Sequence, residues 1–230
     1  MDDFTKLEDN IKAKFNNIEL LKTALTHRSY LNEHQEDGLE HNERLEYLGD
    51  AVLELGTTHF LFEKFPQENE GVLTSYRSAL VNTVSLLDVA EKLQVNDFLR
   101  LSKGEAKDTG RARNFIIANS IEAIIGAIYI DQGYSAAQKF IEENFLCKID
   151  EVIEKNLWHD DKSHFQEKAQ EFSKITPNYK VLEEIGPDHD KRFKIGVFLN
   201  DKLVAEGEGV SKQEAEQSAA RNALKAKQWA

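Results

Sequence analysis

The sequence is poor in the features that mark secreted, disulfide-stapled or membrane-embedded chains. Of its 230 residues, one is cysteine (Cys147), one methionine and three proline. A single cysteine excludes an intramolecular disulfide and leaves a Cys-based zinc site without partners, which points to a reducing compartment, by default the cytoplasm. No stretch offers the roughly 18 uninterrupted apolar residues that a membrane helix needs. The opening MDDFTKLEDN is acidic where a secretion signal has an apolar segment. Neither export nor membrane insertion is expected. With 40% hydrophobic and 30% charged residues, the composition describes one or two folded domains. Positive charge is also short, with a formal net charge of −12, a poor start for a phosphate binder. That shortage is local. Residues 160–230 carry 13 Asp and Glu against 12 Lys and Arg, which leaves residues 1–159 with 28 of the 41 acids and 17 of the 29 bases, −11 against −1.

From Ile18 to Phe145, apolar residues recur at helical spacing in IELLKTAL, RLEYLGDAVLELG, VSLLDVAEKL and IIANSIEAIIGAIYI. Breakers fall between these blocks: Pro66 after one helix, Gly71 before another, Gly104 and Gly110 in a polar stretch. A bundle of short helices is expected. After Trp158 the order becomes helix, strand, strand, strand, helix. The first helix is expected over Lys162–Phe172 and a strand over Tyr179–Ile185. Phe193, Ile195, Val197 and Leu199 then alternate as in a half-buried strand, and Asn200-Asp201 turns into KLVAEGEG. Ser211 is a candidate N-cap, and Ala215, Ala219 and Ala223 give the last helix a small-residue face that can lie close on a sheet. Asp161 and Ser163 read as caps of the first helix.

HNERLEYLGDAVLELG places Glu43, Glu46 and Asp50 on one helical face and Leu45, Leu48, Val52 and Leu55 on the opposite one. Taken alone, three carboxylates on a helix are an ordinary solvated face. The second acidic helix, expected over Ile116–Ile130, changes that reading, because it is apolar almost all round and carries one charge, Glu122. A buried carboxylate must be paired, protonated or bound to a cation. Asn119 lies one turn before it on the same face. Gly126, one turn after, leaves room for close approach of another helix or a ligand. If the two faces meet, four carboxylates and an amide converge. Such oxygen donors suit a hard divalent ion, Mg2+ or Mn2+, rather than zinc. Two such ions roughly 3.5–4 Å apart suit in-line displacement at a phosphodiester. No EF-hand loop is present, and neither Cys147 nor the seven histidines form a nucleophilic motif.

These residues carry a resemblance. HNERLEYLGDAVLEL resembles the signature helix of the ribonuclease III family, flanked by ALTHRSYLNE and EGVLTSYRSALVN, and NFIIANSIEAIIGAIYID resembles its second acidic helix. DKSHFQEKAQ, GPDHDKRF and GEGVSKQEAEQSAARNAL resemble a double-stranded-RNA-binding domain. The resemblance implies a multidomain chain: an all-helical nuclease domain over residues 1–155, a linker at 156–160, and an α-β-β-β-α domain over 161–230. It also implies a Mg2+-dependent endoribonuclease, with Mn2+ a possible substitute, that cuts duplex RNA to 5′-phosphate and 3′-hydroxyl ends in the processing of ribosomal and messenger precursors. Glu43, Glu46, Asp50, Asn119 and Glu122 would surround the metal, with Asp50 and Glu122 catalytic. Glu70 matches an acidic position of the same cleft. The family's simple members act as homodimers, and Tyr47 matches an aromatic that plugs into the partner, the other reading being an ordinary core aromatic.

At position 119 most family members have Asp. An amide still offers an oxygen but no charge, so the competing expectation is a duplex-RNA-binding protein with a weakened or inactive nuclease site. Duplex RNA is read by shape across roughly 16 base pairs. Gln166 and Glu167 on the first helix suit one minor groove, His189 in the GPDHDKRF loop the next, and Lys212 at the last helix's start suits phosphates. Where the family usually offers two adjacent lysines, this chain has Lys212-Gln213. Arg111 and Arg113, read as lying just ahead of the acidic helix, are either solvated or a positive rim that steers RNA.

Overall fold

Two long helices cross at a pair of glycines, and the rest of the N-terminal half is arranged around that crossing. In the computed structural model, which describes residues 4–34, 40–107, 109–155, 157–158, 160–186 and 191–229, the chain divides into two compact units, residues 1–158 and 159–230. The first contains α1 (Thr5–Ile11), α2 (Ile18–Ala24), α3 (Arg28–Glu33), α4 (Glu43–Lys64), α5 (Glu70–Leu80), α6 (Thr83–Lys92), α7 (Arg111–Gln132), α8 (Tyr134–Asn144) and α9 (Ile149–Glu154), with short 3₁₀ turns between some of them. Several helices start on side chains that accept an otherwise orphaned N–H, as Asn17 does from Glu19, Asn69 from Val72 and Asn82 from Ser85. Gly71 therefore lies inside the first turn of α5 rather than ahead of it. Phe65 and Pro66 close α4, and Gly133, at φ +83°, closes α7.

α4 and α7 form the most extensive helix pair in this unit. A Cβ on Gly49 would fall 1.7 Å from the Glu122 carbonyl oxygen, and one on Gly126 would fall 2.2 Å from the Leu45 carbonyl oxygen. Only hydrogens fit at either position. The close approach expected at Gly126 is therefore made by α4. Ile121, Ile124, Ile125 and Ile128 of α7 and Leu53 of α4 are buried, in a core that also includes Leu7, Leu21, Leu61, Leu80 and Phe145. Leu55, expected on the packing face, is instead 58% exposed, because Gly49, Val52, Leu53 and Gly56 set the buried stripe. By length and composition alone α7 could cross a membrane, but half of its apolar window is buried inside the unit. Trp158 meets Tyr76 edge-on, with ring centroids 4.9 Å apart.

The second unit runs α10 (Asp161–Ser173), β1 (Asn178–Ile185), β2 (Arg192–Leu199), β3 (Lys202–Gly209) and α11 (Lys212–Lys227). The sheet is antiparallel in the order β1-β2-β3. Asn200, at φ +54°, makes the expected turn into β3. Phe165, Ala169, Val197, Leu199, Ala219, Ala220, Ala223 and Leu224 form its core. The alanine face of α11 lies so close to β3 that a Cβ on Gly207 would fall 2.0 Å from Ala219 N. Trp229 stacks on Phe165 and Phe172, with centroids 5.7 and 5.4 Å away.

The cap of α10 is Asp160, which accepts from Ser163 N and Oγ. Asp161, expected as a cap, instead has its side chain 6% exposed and pairs with Arg221 Nε at 2.8 Å, tying α10 to α11. Arg221→Ala leaves that carboxylate buried without its guanidinium and is expected to cost this unit about 1–3 kcal/mol. Chemical denaturation checks this, and an unchanged midpoint would mean that the pair contributes nothing.

Candidate active site and RNA-facing surface

The crossing of α4 and α7 brings the two acidic faces together. Asn119 Nδ2 donates to Glu46 Oε1 at 2.8 Å, joining the helices at the cleft. Burial first, and then the charges of Asp50 and Glu46, push the half-buried Glu122 carboxyl up to about 7. Burial also raises Glu46, the Asn119 bond pulls it back, and Glu43 and Asp50 raise it further. Glu46, Asp50 and Glu122 thus share one electrostatic field, with Glu43 at its edge. Glu43 Oε1 lies 3.4 Å from Arg28 Nη1, and its Oε2 lies 3.8 Å from His41 Nδ1. Among the described residues, no three His, Cys, Asp or Glu side chains are drawn tightly enough to form a ready-made cation cage. The donors nevertheless fit a hard cation, being carboxylate oxygens and one amide oxygen in a partly desolvated cleft.

His27, Asn42, Glu43, Glu46, Phe115, Ile116 and Asn119 line a cavity of about 250 Å³ beside this cluster. Burial holds the His27 imidazole below its usual value. Four of these lining residues, His27, Asn42, Phe115 and Ile116, are not among the site residues expected from the sequence. Buried Asn42 donates its N–H to the Thr26 carbonyl at 2.9 Å and its amide to Ala24 at 3.3 Å, fixing where α4, and hence Glu43 and Glu46, begins. The asparagine before the acidic run was its only sequence signal. Phe115 is 46% exposed beneath the Arg111 guanidinium, 5.6 Å from the ring centroid. An aromatic off the packed face of α7 was the available sign. Both arginines lie within the first turn of α7, which starts earlier than the apolar pattern indicated. Arg113 donates to Asn96 at 2.7 Å.

Glu70 is not part of this cluster within one chain. It opens α5 and lines a groove of about 590 Å³ with Leu61, Phe62, Phe65, Leu73 and Arg77, at the other end of α4. Tyr47 is 84% exposed, so it is not a core residue, and Phe62 is 70% exposed on the same helix. In the second unit, Gln166 and Glu167 are exposed on α10 and Lys212 is the first residue of α11. His189 lies outside the described residues.

The first unit is all-helical with an acidic cleft, and the second is an α-β-β-β-α unit. A Ribonuclease-III-like family model matches residues 17–149, and a double-stranded RNA binding motif matches residues 162–227. The chain is 48% identical over 218 residues to a ribonuclease 3 of Carboxydothermus hydrogenoformans, covering 95% of this chain and 93% of that one. It is 44% identical over 222 residues to a ribonuclease 3 of Bdellovibrio bacteriovorus, covering 96% and 94%. The nuclease domain of a Campylobacter jejuni ribonuclease III, whose dimer-forming region is described as flexible, superposes with a TM-score of 0.56 at 38% identity, covering 63% of this chain and 99% of that one. The chain belongs to the ribonuclease III family.

Proposed function

We propose that this endoribonuclease hydrolyses duplex RNA at the α4–α7 cleft with hard divalent cations, Mg2+ or Mn2+, held by Glu46, Asp50, Asn119 and Glu122, with Glu43 at the edge. A bound cation supplies Lewis-acid stabilisation of the phosphodiester and lowers the pKa of the attacking water. The observation that carries the reading is the meeting of the two acidic faces where α4 crosses α7, with Asn119 bonded to Glu46 at 2.8 Å and the half-buried Glu122 carboxyl pushed up to about 7 by burial and by Asp50 and Glu46. Carboxylates arranged in this way attract a cation and must release a proton to receive it. Asp50 and Glu122 act as the catalytic pair by orienting the water in line with the 3′-oxygen. Attack at phosphorus expels that oxygen as a 3′-hydroxyl and leaves the 5′-phosphate. Asn119 spends its amide donor on Glu46, so its carbonyl oxygen is what it offers a cation.

The active form is a homodimer, in which the exposed Tyr47 ring of one copy enters the groove at Phe62 and Phe65 of the other. An exposed aromatic near one end of α4 and an apolar groove at the other support such a self-complementary contact. On this reading Glu70 reaches a cleft only across the dimer. The second unit holds the duplex through Gln166, Glu167, His189 and Lys212, and tethering it to an acidic nuclease unit raises the local RNA concentration. The substrates are ribosomal and messenger RNA precursors in the cytoplasm.

One observation favours a second reading, a duplex-RNA-binding protein with a weakened site: the amide of Asn119 stands where an acid would add charge. Cleavage of an end-labelled RNA duplex separates the two. Mg2+-dependent cutting that stops in EDTA, with Asn119→Asp changing the rate less than about tenfold, is the expected result. Binding without cutting, with activity appearing only in Asn119→Asp, would establish the second reading instead.

A further inference from the structure

On the RNA-binding unit, a single carboxylate holds two cations beside the start of α11. Glu184, on β1, has Oε2 3.3 Å from Lys191 Nζ and Oε1 3.4 Å from Lys212 Nζ. The two lysine contacts, that of Lys191 first, hold the Glu184 carboxyl below its usual value. Lys212 also rests over the Phe193 ring, with Nζ 5.4 Å from the centroid, so it keeps a support apart from Glu184. The helix end itself is closed by Ser211, which accepts from Glu214 N, while Glu214 Oε2 accepts from Val210 N at 2.8 Å.

We propose that Glu184 sets the selectivity of this unit for duplex RNA, by making any phosphate that approaches Lys212 and Lys191 compete with a carboxylate already there. The inference rests on the reading of the unit as a duplex-RNA binder and adds to it a residue that contacts no base. Lysine is a point charge that attracts the phosphates of single strands, DNA and RNA alike. Taken together, Glu184 and the two lysines it contacts carry a net charge of +1, one less than the lysines by themselves. A ligand that engages only these cations is therefore bound weakly. A duplex whose groove also meets Gln166 and Glu167 on α10 gains contacts that do not depend on the pair. Surface ion pairs are weak individually, so the effect is graded rather than all-or-none.

The test is binding by the full chain in EDTA to an RNA duplex, to one of its single strands and to the matching DNA duplex, across a salt series. In Glu184→Gln, the single strand and the DNA duplex are expected to bind about three- to tenfold tighter. The RNA duplex gains less, and the salt dependence steepens by about one unit of slope. Glu184→Asp, which keeps the charge, retains the wild-type preference. Glu171→Gln makes the same change of net charge at a site paired with Lys168, 3.1 Å away, and should leave the preference unchanged. Unchanged or weaker binding in Glu184→Gln, or an equal gain in Glu171→Gln, overturns the proposal. Failure of the wild-type chain to bind duplex RNA at all would instead overturn the reading of the unit beneath it.

Discussion

In a Glu122→Gln chain, Mg2+-dependent cleavage of duplex RNA is expected to fall by about 10²–10³-fold, while the same protein in EDTA at pH 8 melts higher than the wild type. Both effects come from one cause. The Glu122 carboxyl moves from its ordinary 4.5 up to about 7 in the folded chain, through burial and the neighbouring Asp50 and Glu46. Between those values the folded protein keeps a proton that the unfolded chain has released. Stability therefore drops as pH rises through this window, and the penalty is complete above about 7. Glutamine removes it. Solvent screens part of the site, so the gain is about 1–2 kcal/mol, below the full conversion of the shift, or roughly 2–8 °C in Tm. The advantage should vanish near pH 4.5. Cleavage at wild-type rate would remove Glu122 from the chemistry, and equal melting at pH 5 and pH 8 would mean that its carboxyl is not strained in the fold.

Gly49→Ala is expected to destabilise the nuclease unit by about 3 kcal/mol and to lower its Tm by roughly 6–12 °C. The added carbon would stand 1.7 Å from the backbone oxygen of Glu122, where no flexible side chain can give way, so α4 and α7 must separate. Because Glu46 and Asp50 lie on one helix and Asn119 and Glu122 on the other, cleavage should fall further than the lost stability explains. Gly104→Ala is the control. Its added carbon would meet nothing closer than Ser102 Oγ at 3.8 Å, and stability should change by less than about 0.5 kcal/mol. A Gly49→Ala chain as stable and active as the control would show that the helices cross less closely than described.

The parts of this molecule legible in its sequence are those governed by one element's own periodicity. The acid spacing on α4, the single charge within the apolar stretch of α7 over residues 116–130 and the buried alanines of α11 depend on local geometry, and the structure realises them, while β2 buries Ile195, Val197 and Leu199 as its alternation indicates but buries Gly196 between them as well. Contacts between elements were harder to read. Helical period alone puts Leu55 on the packing face, whereas the glycine crossing puts Gly49, Val52, Leu53 and Gly56 there. Asp161 and Ser163 read as caps of α10 from the sequence, and what draws Asp161 away is Arg221, 60 residues further along the chain. Asn42 carries no catalytic signal, since its role is to receive a strand of chain from the α2–α3 connection. Glu70 was joined to the cleft by family resemblance, yet within one chain the length of α4 separates them. The start of α7 was missed because Arg111, Arg113 and Asn114 are helical without being apolar, so a hydrophobic period could not mark them.

The pairing of each tryptophan with its own aromatic neighbours has a spectroscopic consequence. The chain has two tryptophans, and they fall one in each unit, Trp158 against Tyr76 and Trp229 against Phe165 and Phe172. Intrinsic fluorescence is thus a two-channel reporter built into the native chain. With Trp229→Phe the tryptophan emission, excited apart from the tyrosines, follows the nuclease unit alone, and with Trp158→Phe it follows the RNA-binding unit alone. A divalent ion acting at the acidic cleft and an RNA acting on α10 and α11 can then be told apart in intact protein by which tryptophan's signal moves.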